Sequence, residues 1–313
     1  MSTQSWNGRE AAQRWVRDFL VNQSMPSLAD VYLHAIRLHG TAGETFGRDA
    51  VLREHRTMLR LLAPLGTLAA EVDALVEVED GEASRVAFTV SATTSASSDQ
   101  GFHCIVEWLV VDARVVEMWW SFDLATICSR AGEPIDTLAR VHAQRLAPRL
   151  TPPGDAVHAF GQLLARPLVS TLAQADAAND LIAHAVSHLD ACLRRFDAGA
   201  ITRAGSVWHG SVLTEAVDFS RAWLDSFDDG ELFIEQTLGR DHDAFVRARW
   251  RGHYAGDGVL GHAGASTLVD VPLFAWCGRR DGRITFACWL DTVGAAAQLY
   301  AGAMSDLISP GAN

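Results

Sequence analysis

The chain has 313 residues, of which 49% are hydrophobic and 20% charged; that is enough apolar material for two buried cores and argues against general disorder. Lys+Arg 26 against Asp+Glu 38 leaves a formal charge of −12, which argues against a nucleic-acid or acidic-membrane surface. Every basic residue is Arg, so Schiff-base, pyridoxal-phosphate and P-loop chemistries, which need a lysine, are ruled out.

In chain order, residues 9–21 predict an amphipathic helix, with Ala12, Trp15, Val16 and Phe19 on one face. Ser27 is placed to cap a second helix over 28–38, and 48–62 predicts a third. Runs rich in Val, Phe and Trp then predict strands over 68–79, 84–94, 102–111 and 114–122, broken at Asp80-Gly81 and 97–101. Helices over 135–147 and 156–166 flank Thr151-Pro152-Pro153-Gly154 and read as a connector, with the boundary near residue 153. Beyond it, helices are expected over 177–196 and 214–227. Strands follow over 231–238, 244–253, 266–277 and 283–290, with Asp281-Gly282 as a hairpin turn. Helices followed by a run of antiparallel strands mean α+β, with helices packed on one face of a curved sheet.

The five cysteines (Cys104, Cys128, Cys192, Cys277 and Cys288) are odd in number and form no C-x-x-C, so a disulfide framework or cysteine zinc site is not expected. The first residues lack a signal pattern, and no apolar run reaches the ~18 residues of a membrane helix. The expectation is a soluble cytoplasmic protein.

A repeat lies in the spacing. Leu38-His39-Gly40-Thr41 resembles Trp208-His209-Gly210-Ser211 at an offset of 170, and Gly132 maps onto Gly302 by the same offset. The stretch from Arg114 to Asp123, containing Trp119-Trp120, resembles that from Arg283 to Asp291, containing Trp289. The implied organisation is one unit over 1–132, a helical connector over 133–176 and a second unit over 177–313.

The ordered set Trp250-Arg-Gly252-His253, Gly256, Gly261, Arg279-Arg-Asp281-Gly282-Arg283-Ile284, Trp289-Leu-Asp291 and Gln298-Leu299 resembles the closing strands of the nuclear transport factor 2-like family, of SnoaL-like polyketide cyclase type. The first unit keeps only the Trp119/Trp120 to Asp123 ending. The resemblance implies two cystatin-like cones, each with helices on a curved antiparallel sheet. It also implies that the units pair sheet to sheet as an internal pseudo-dimer, with a further homodimer open. A conical pocket for a small apolar substrate would follow, needing no metal and no cofactor.

In such a pocket a carboxylate loses solvation and becomes able to shuttle a proton near neutral pH. Asp291 matches the family's catalytic aspartate, with Ala287 and Trp289 on its side of the strand; the competing role is a cap on a helix over 292–301. Asp123 stands alike. His253 matches a family histidine that would stabilise an oxyanion, but alternation groups it with Arg247, Arg249 and Arg251, opposite Val246, Ala248 and Trp250. Trp289, Trp250 and Trp119 are the candidate walls for a flat apolar ligand. His209 and His39 are candidates for the pocket mouth, or plain turn residues. His103 reads as a packed sheet histidine, His184 and His188 as a solvated helix face, and His242 as part of a polar turn. No Gly-x-Ser-x-Gly supports serine hydrolysis. Two functions stay open. One is a cofactor-independent enzyme for cyclisation, isomerisation or dehydration of a small carbonyl compound. The other is a tandem protein that binds a small ligand or a protein without catalysis. An open cavity holding Asp291 would favour the first; an interior filled by tryptophans would favour the second.

Overall fold

The computed structural model describes residues 7–40, 43–94, 97–124, 127, 167–169, 179–183, 185–186, 206–209, 223–258, 266–280, 283–291, 294–295 and 298–299. The expected connector helices and the Asp281-Gly282 turn lie outside them, as do His184, His188, Cys128 and Cys192.

Helix α1 (Gly8–Val16) starts where the Asn7 side chain accepts the Glu10 amide, and it continues as a π-helical turn, Arg17–Val21. Its apolar stripe buries Ala12, Trp15 and Val16. Only a short helix, α2 (Met25–Leu28), follows. The helix expected over 28–38 is instead strand β1 (Tyr32–Gly40), and Ser27 donates to the Ser24 carbonyl rather than capping a helix. The physical reason is a register shift between Tyr32 and Arg37. The bulge puts buried Tyr32 and Ile36 four residues apart, which imitates a helical period. Strand β2 (Gly43–Phe46) pairs back on β1. Helix α3 (Arg48–Leu62) turns Val51, His55, Met58 and Leu62 inward.

Strands β3 (Leu68–Asp80), β4 (Ala83–Thr94), β5 (Ser97–Val111) and β6 (Arg114–Phe122) complete a six-stranded sheet of order β2-β1-β6-β5-β4-β3. A second sheet takes β7 (Pro167–Val169), β8 (Ser206–His209), β9 (Glu231–Arg240), β10 (Asp243–His253), β11 (Leu268–Arg280) and β12 (Arg283–Leu290), in order β7-β9-β10-β11-β12-β8. The strands expected over 231–238, 244–253, 266–277 and 283–290 are all present. In each sheet a strand from earlier in the chain lies parallel to the last one. His39 stands opposite Trp119 in the first sheet, and His209 opposite Trp289 in the second.

Both faces of each sheet are buried. Inward residues of the first (Phe88, Val106, Trp108, Met118, Trp120 and Phe122) pack with Trp15, Phe19 and α3. Inward residues of the second (Val246, Trp250, Leu273, Cys288 and Leu290) pack with Trp223 and Phe227. The opposite faces meet each other: Val76, Ala87, Ile105 and Trp119 share a cluster with Phe245, Phe274, Ala287 and Trp289. Burial of each such large side chain stabilises by about 1.5–3 kcal/mol.

Candidate functional site

The first cone is filled by aromatic rings threaded by one hydrogen-bond chain. Trp15 Nε1 donates to Tyr32 Oη (2.7 Å). Tyr32 Oη lies 2.8 Å from His55 Nε2, and His55 Nδ1 lies 2.8 Å from the Val51 carbonyl. The carbonyl only accepts, so Nδ1 carries the proton and Nε2 accepts from Tyr32. Burial pushes the Tyr32 hydroxyl's pKa far up, and the bond from Trp15 only partly opposes that. Burial also lowers the His55 pKa to about 4 against the pull of the Val51 carbonyl, so the ring is neutral. This chain is closed at both ends and holds the interior in one arrangement.

The cone opens at its rim. A cavity of ≈ 30 Å³ lies between β1, β2, α3 and the end of β6. Its polar lining includes Thr45, Glu54, Thr57 and Trp120, and Leu38, Met58, Leu61 and Leu124 form apolar walls. Trp120 separates the cavity from His55, with ring centroids 4.6 Å apart. The indole Nε1 edge lies against Gly40, where an added Cβ would sit 2.5 Å from Nε1. Glycine at 40 therefore keeps this edge of the cavity open.

Among the expected site residues, Asp123 and Asp291 occupy matching positions just past the last strand of each sheet and are 5% and 6% exposed. The Ile127 amide donates to the Asp123 carbonyl (3.0 Å) and the Ala295 amide to that of Asp291 (3.1 Å). Asp291 Oδ1 also accepts the Gly294 amide at 2.8 Å, so its side chain caps the helical turn that follows. His253 projects from the end of β10, half exposed, and holds Asp229 at 2.9 Å through Nδ1. It shares its side of the strand with Arg247, Arg249 and Arg251.

Trp250 faces the interior of the second half, fully buried against Trp223 and Phe227. Trp119 and Trp289 differ from the expectation of pocket walls: both lie between the two sheets. The reason is the pleat, which directs Trp120, Cys288 and Leu290 inward and their neighbours outward. His39 stacks on Trp119 (centroids 4.8 Å apart, planes at 4°), with Nε2 2.7 Å from Glu117 and Nδ1 3.3 Å from Glu44. The side chain of His209 lies outside the described residues.

A charged network that no spacing announced joins the two sheets. Glu107, 3% exposed, accepts from Arg85 Nη1 at 3.1 Å and from Arg247 Nε at 2.9 Å. Arg247 also bonds Glu235 at 2.9 Å and places its guanidinium 3.9 Å over the Trp119 ring. His55 had a readable signal, since the spacing 51, 55, 58, 62 sets it on the apolar face of α3. Glu54 and Thr57 had none, because nothing in the sequence brings them beside Trp120. Among the described residues no group of three His, Cys, Asp or Glu could hold a metal ion, and no helix is long and apolar enough to cross a membrane. Cys104, Cys277 and Cys288 are free and buried.

The sequence matches no protein-family model and no curated protein. It is similar to solved structures of nuclear transport factor 2-like type. One is an NTF2-like protein of unknown function from Pseudomonas putida, 13% identical over 36% of this chain and 86% of that one, with a TM-score of 0.29. Another, from Kribbella flavida and provisionally called a ketosteroid isomerase, is 21% identical over 37% of this chain and 76% of that one, with a TM-score of 0.28. A third, from Bacillus cereus and provisionally called a polyketide cyclase, is 17% identical over 39% of this chain and 78% of that one, with a TM-score of 0.31.

Proposed function

We propose that the chain is a tandem of two nuclear transport factor 2-like units. The first binds a small, largely apolar molecule at its rim, and the second serves as its built-in dimer partner. The observation that carries this reading is the cavity bounded by Trp120, Glu54 and Thr57 above an otherwise filled cone. The shared sheet order and the paired His39–Trp119 and His209–Trp289 registers support the tandem. The apolar cluster between the sheets supports the internal pseudo-dimer. The test is a titration of the full chain with small aromatic and alicyclic molecules, followed through the tryptophan indole N–H resonances, with Trp120 assigned by Trp120→Phe. Saturable movement of the Trp120 resonance is expected; movement confined to tryptophans of the second half rejects the reading.

A second reading, cofactor-independent acid/base chemistry on a small carbonyl compound, is favoured by one observation. The buried Asp123 immediately precedes Leu124, which lines the cavity. Desolvation there would suit a carboxyl that exchanges a proton with carbon beside a carbonyl, the step common to cyclisation, isomerisation and dehydration. Asp291, engaged by Gly294, takes the capping role in this reading. In a deuterium-exchange assay on enolisable ketones, Asp123→Asn should lower turnover by about 10²-fold or more, while Asp291→Asn retains it. Equal turnover in both variants and the parent removes Asp123 as the agent.

A further inference from the structure

We infer that the molecule taken up at this rim carries a hydroxyl group on an apolar body, with the hydroxyl bridging Trp120 and Glu54. The inference rests on the reading of the rim as the ligand site, and it follows from the donor and acceptor inventory of the lining. An indole N–H can only donate, and a carboxylate accepts. Thr57 Oγ1 commits its proton to the Arg53 carbonyl at 3.1 Å, which leaves that oxygen an acceptor. Glu54 is engaged elsewhere as well, but a carboxylate offers about four acceptor sites and retains capacity. The wall therefore presents one fixed donor and at least two fixed acceptors around a single small space.

A hydroxyl is the group that complements such a wall, because it accepts from the indole and donates to the carboxylate at once. An ammonium head only donates and leaves the Trp120 N–H unanswered. An ether or ketone only accepts and leaves Glu54 unanswered. A carboxylate would meet Glu54 as a like charge. Size agrees. A water's share of liquid volume is about 30 Å³, and the cavity is ≈ 30 Å³. The space takes one hydroxyl-sized polar head, with the hydrocarbon lying outward along Leu38, Met58, Leu61 and Leu124.

The experiment titrates the full chain with four probes of similar size: phenol, cyclohexanol, anisole and cyclohexylammonium. The readout is the Trp120 indole resonance. Phenol and cyclohexanol should shift it saturably, with anisole and cyclohexylammonium about tenfold weaker for want of one partner. Glu54→Leu should weaken phenol about tenfold and leave anisole unchanged. Four probes of equal affinity, or a Glu54→Leu variant that binds phenol as the parent does, overturn the hydroxyl assignment while leaving the rim as a ligand site. Failure of every probe to move Trp120 overturns the assignment together with the reading beneath it.

Discussion

The two halves share a sheet and differ in what fills it. In the first, a directed chain from Trp15 through Tyr32 and His55 to the Val51 carbonyl runs through the aromatic interior, and a cavity opens at the rim. In the second, the described interior is aromatic and aliphatic. Trp223, Phe227, Trp250 and Tyr254 meet at tilted or edge-on angles, and the Trp250 N–H has no partner. The outward faces are alike in duty, since each covers the other. A sheet with both faces buried is constrained on both, so strand order and register persist through divergence. The interior behind each sheet answers only to its own helices and is free to become either a polar thread or a solid aromatic plug.

The network between the sheets is where the halves depend on each other most. Glu107 neutralises two guanidiniums, those of Arg85 (1% exposed) and Arg247 (8% exposed). Removing one member of a buried pair leaves an uncompensated charge and costs about 3–5 kcal/mol. Glu107→Leu should therefore lower the unfolding free energy of the full chain by about that amount in urea denaturation. A loss of only about 1 kcal/mol, the scale of exposed pairs, would mean that water reaches the network and that the apolar cluster alone joins the halves.

The contrast between the faces also explains what the sequence could tell. The strands of 68–122 and 231–290 were legible because Val-, Phe- and Trp-rich runs end at Asp-Gly turns and restart. The sidedness of Trp119 and Trp289 was not, because alternation separates the faces without saying which one is the cone when both are apolar. Strand β1 was hidden by its bulge. The pairing of Glu107 with Arg247 spans 140 residues and exists only once two sheets have docked. The row Arg247, Arg249, Arg251 and His253 was readable as one outward edge of β10. The capping role of Asp291 was readable too, as the alternative to catalysis.

The next largest difference between the halves concerns acid. His55 is neutral in the folded state with a pKa of about 4, against an unfolded value near 6.5. A depressed histidine pKa contributes stability above 6.5, and that contribution is lost as pH falls from there to 4, where the unfolded chain gains the proton first. The loss amounts to about 3 kcal/mol for a shift of this size. Unfolding midpoints measured from pH 7 to pH 4 should carry this slope, and His55→Leu should flatten it at the expense of stability near neutrality. A His55 ring resonance that titrates near 6.5 in the folded protein would contradict the closed chain.

The smallest effect separates two histidine–carboxylate contacts, one in each half. Burial opposes protonation of His39, but its bonds to Glu117 and Glu44 outweigh it and raise its pKa. The same bond, helped by Arg37 and Arg249, holds Glu44 below the usual carboxylate range against its partial burial. Arg247, which shares the Trp119 ring with His39, is the opposing charge. With a raised folded value, the contribution of His39 is complete below its unfolded pKa and lost as pH rises through the folded one. Glu44 and Glu117 then face each other without a cation between them. The step should be ~1 kcal/mol or less, and its local readout is faster amide exchange in β2, which lends Gly43 and Thr45 to the cavity. The contact between His253 and Asp229 in the second half is exposed and screened by water, so exchange around Asp229 should show no matching step. His39→Gln should abolish the step in β2; if it persists there, the rim is held by the hairpin backbone rather than by charge.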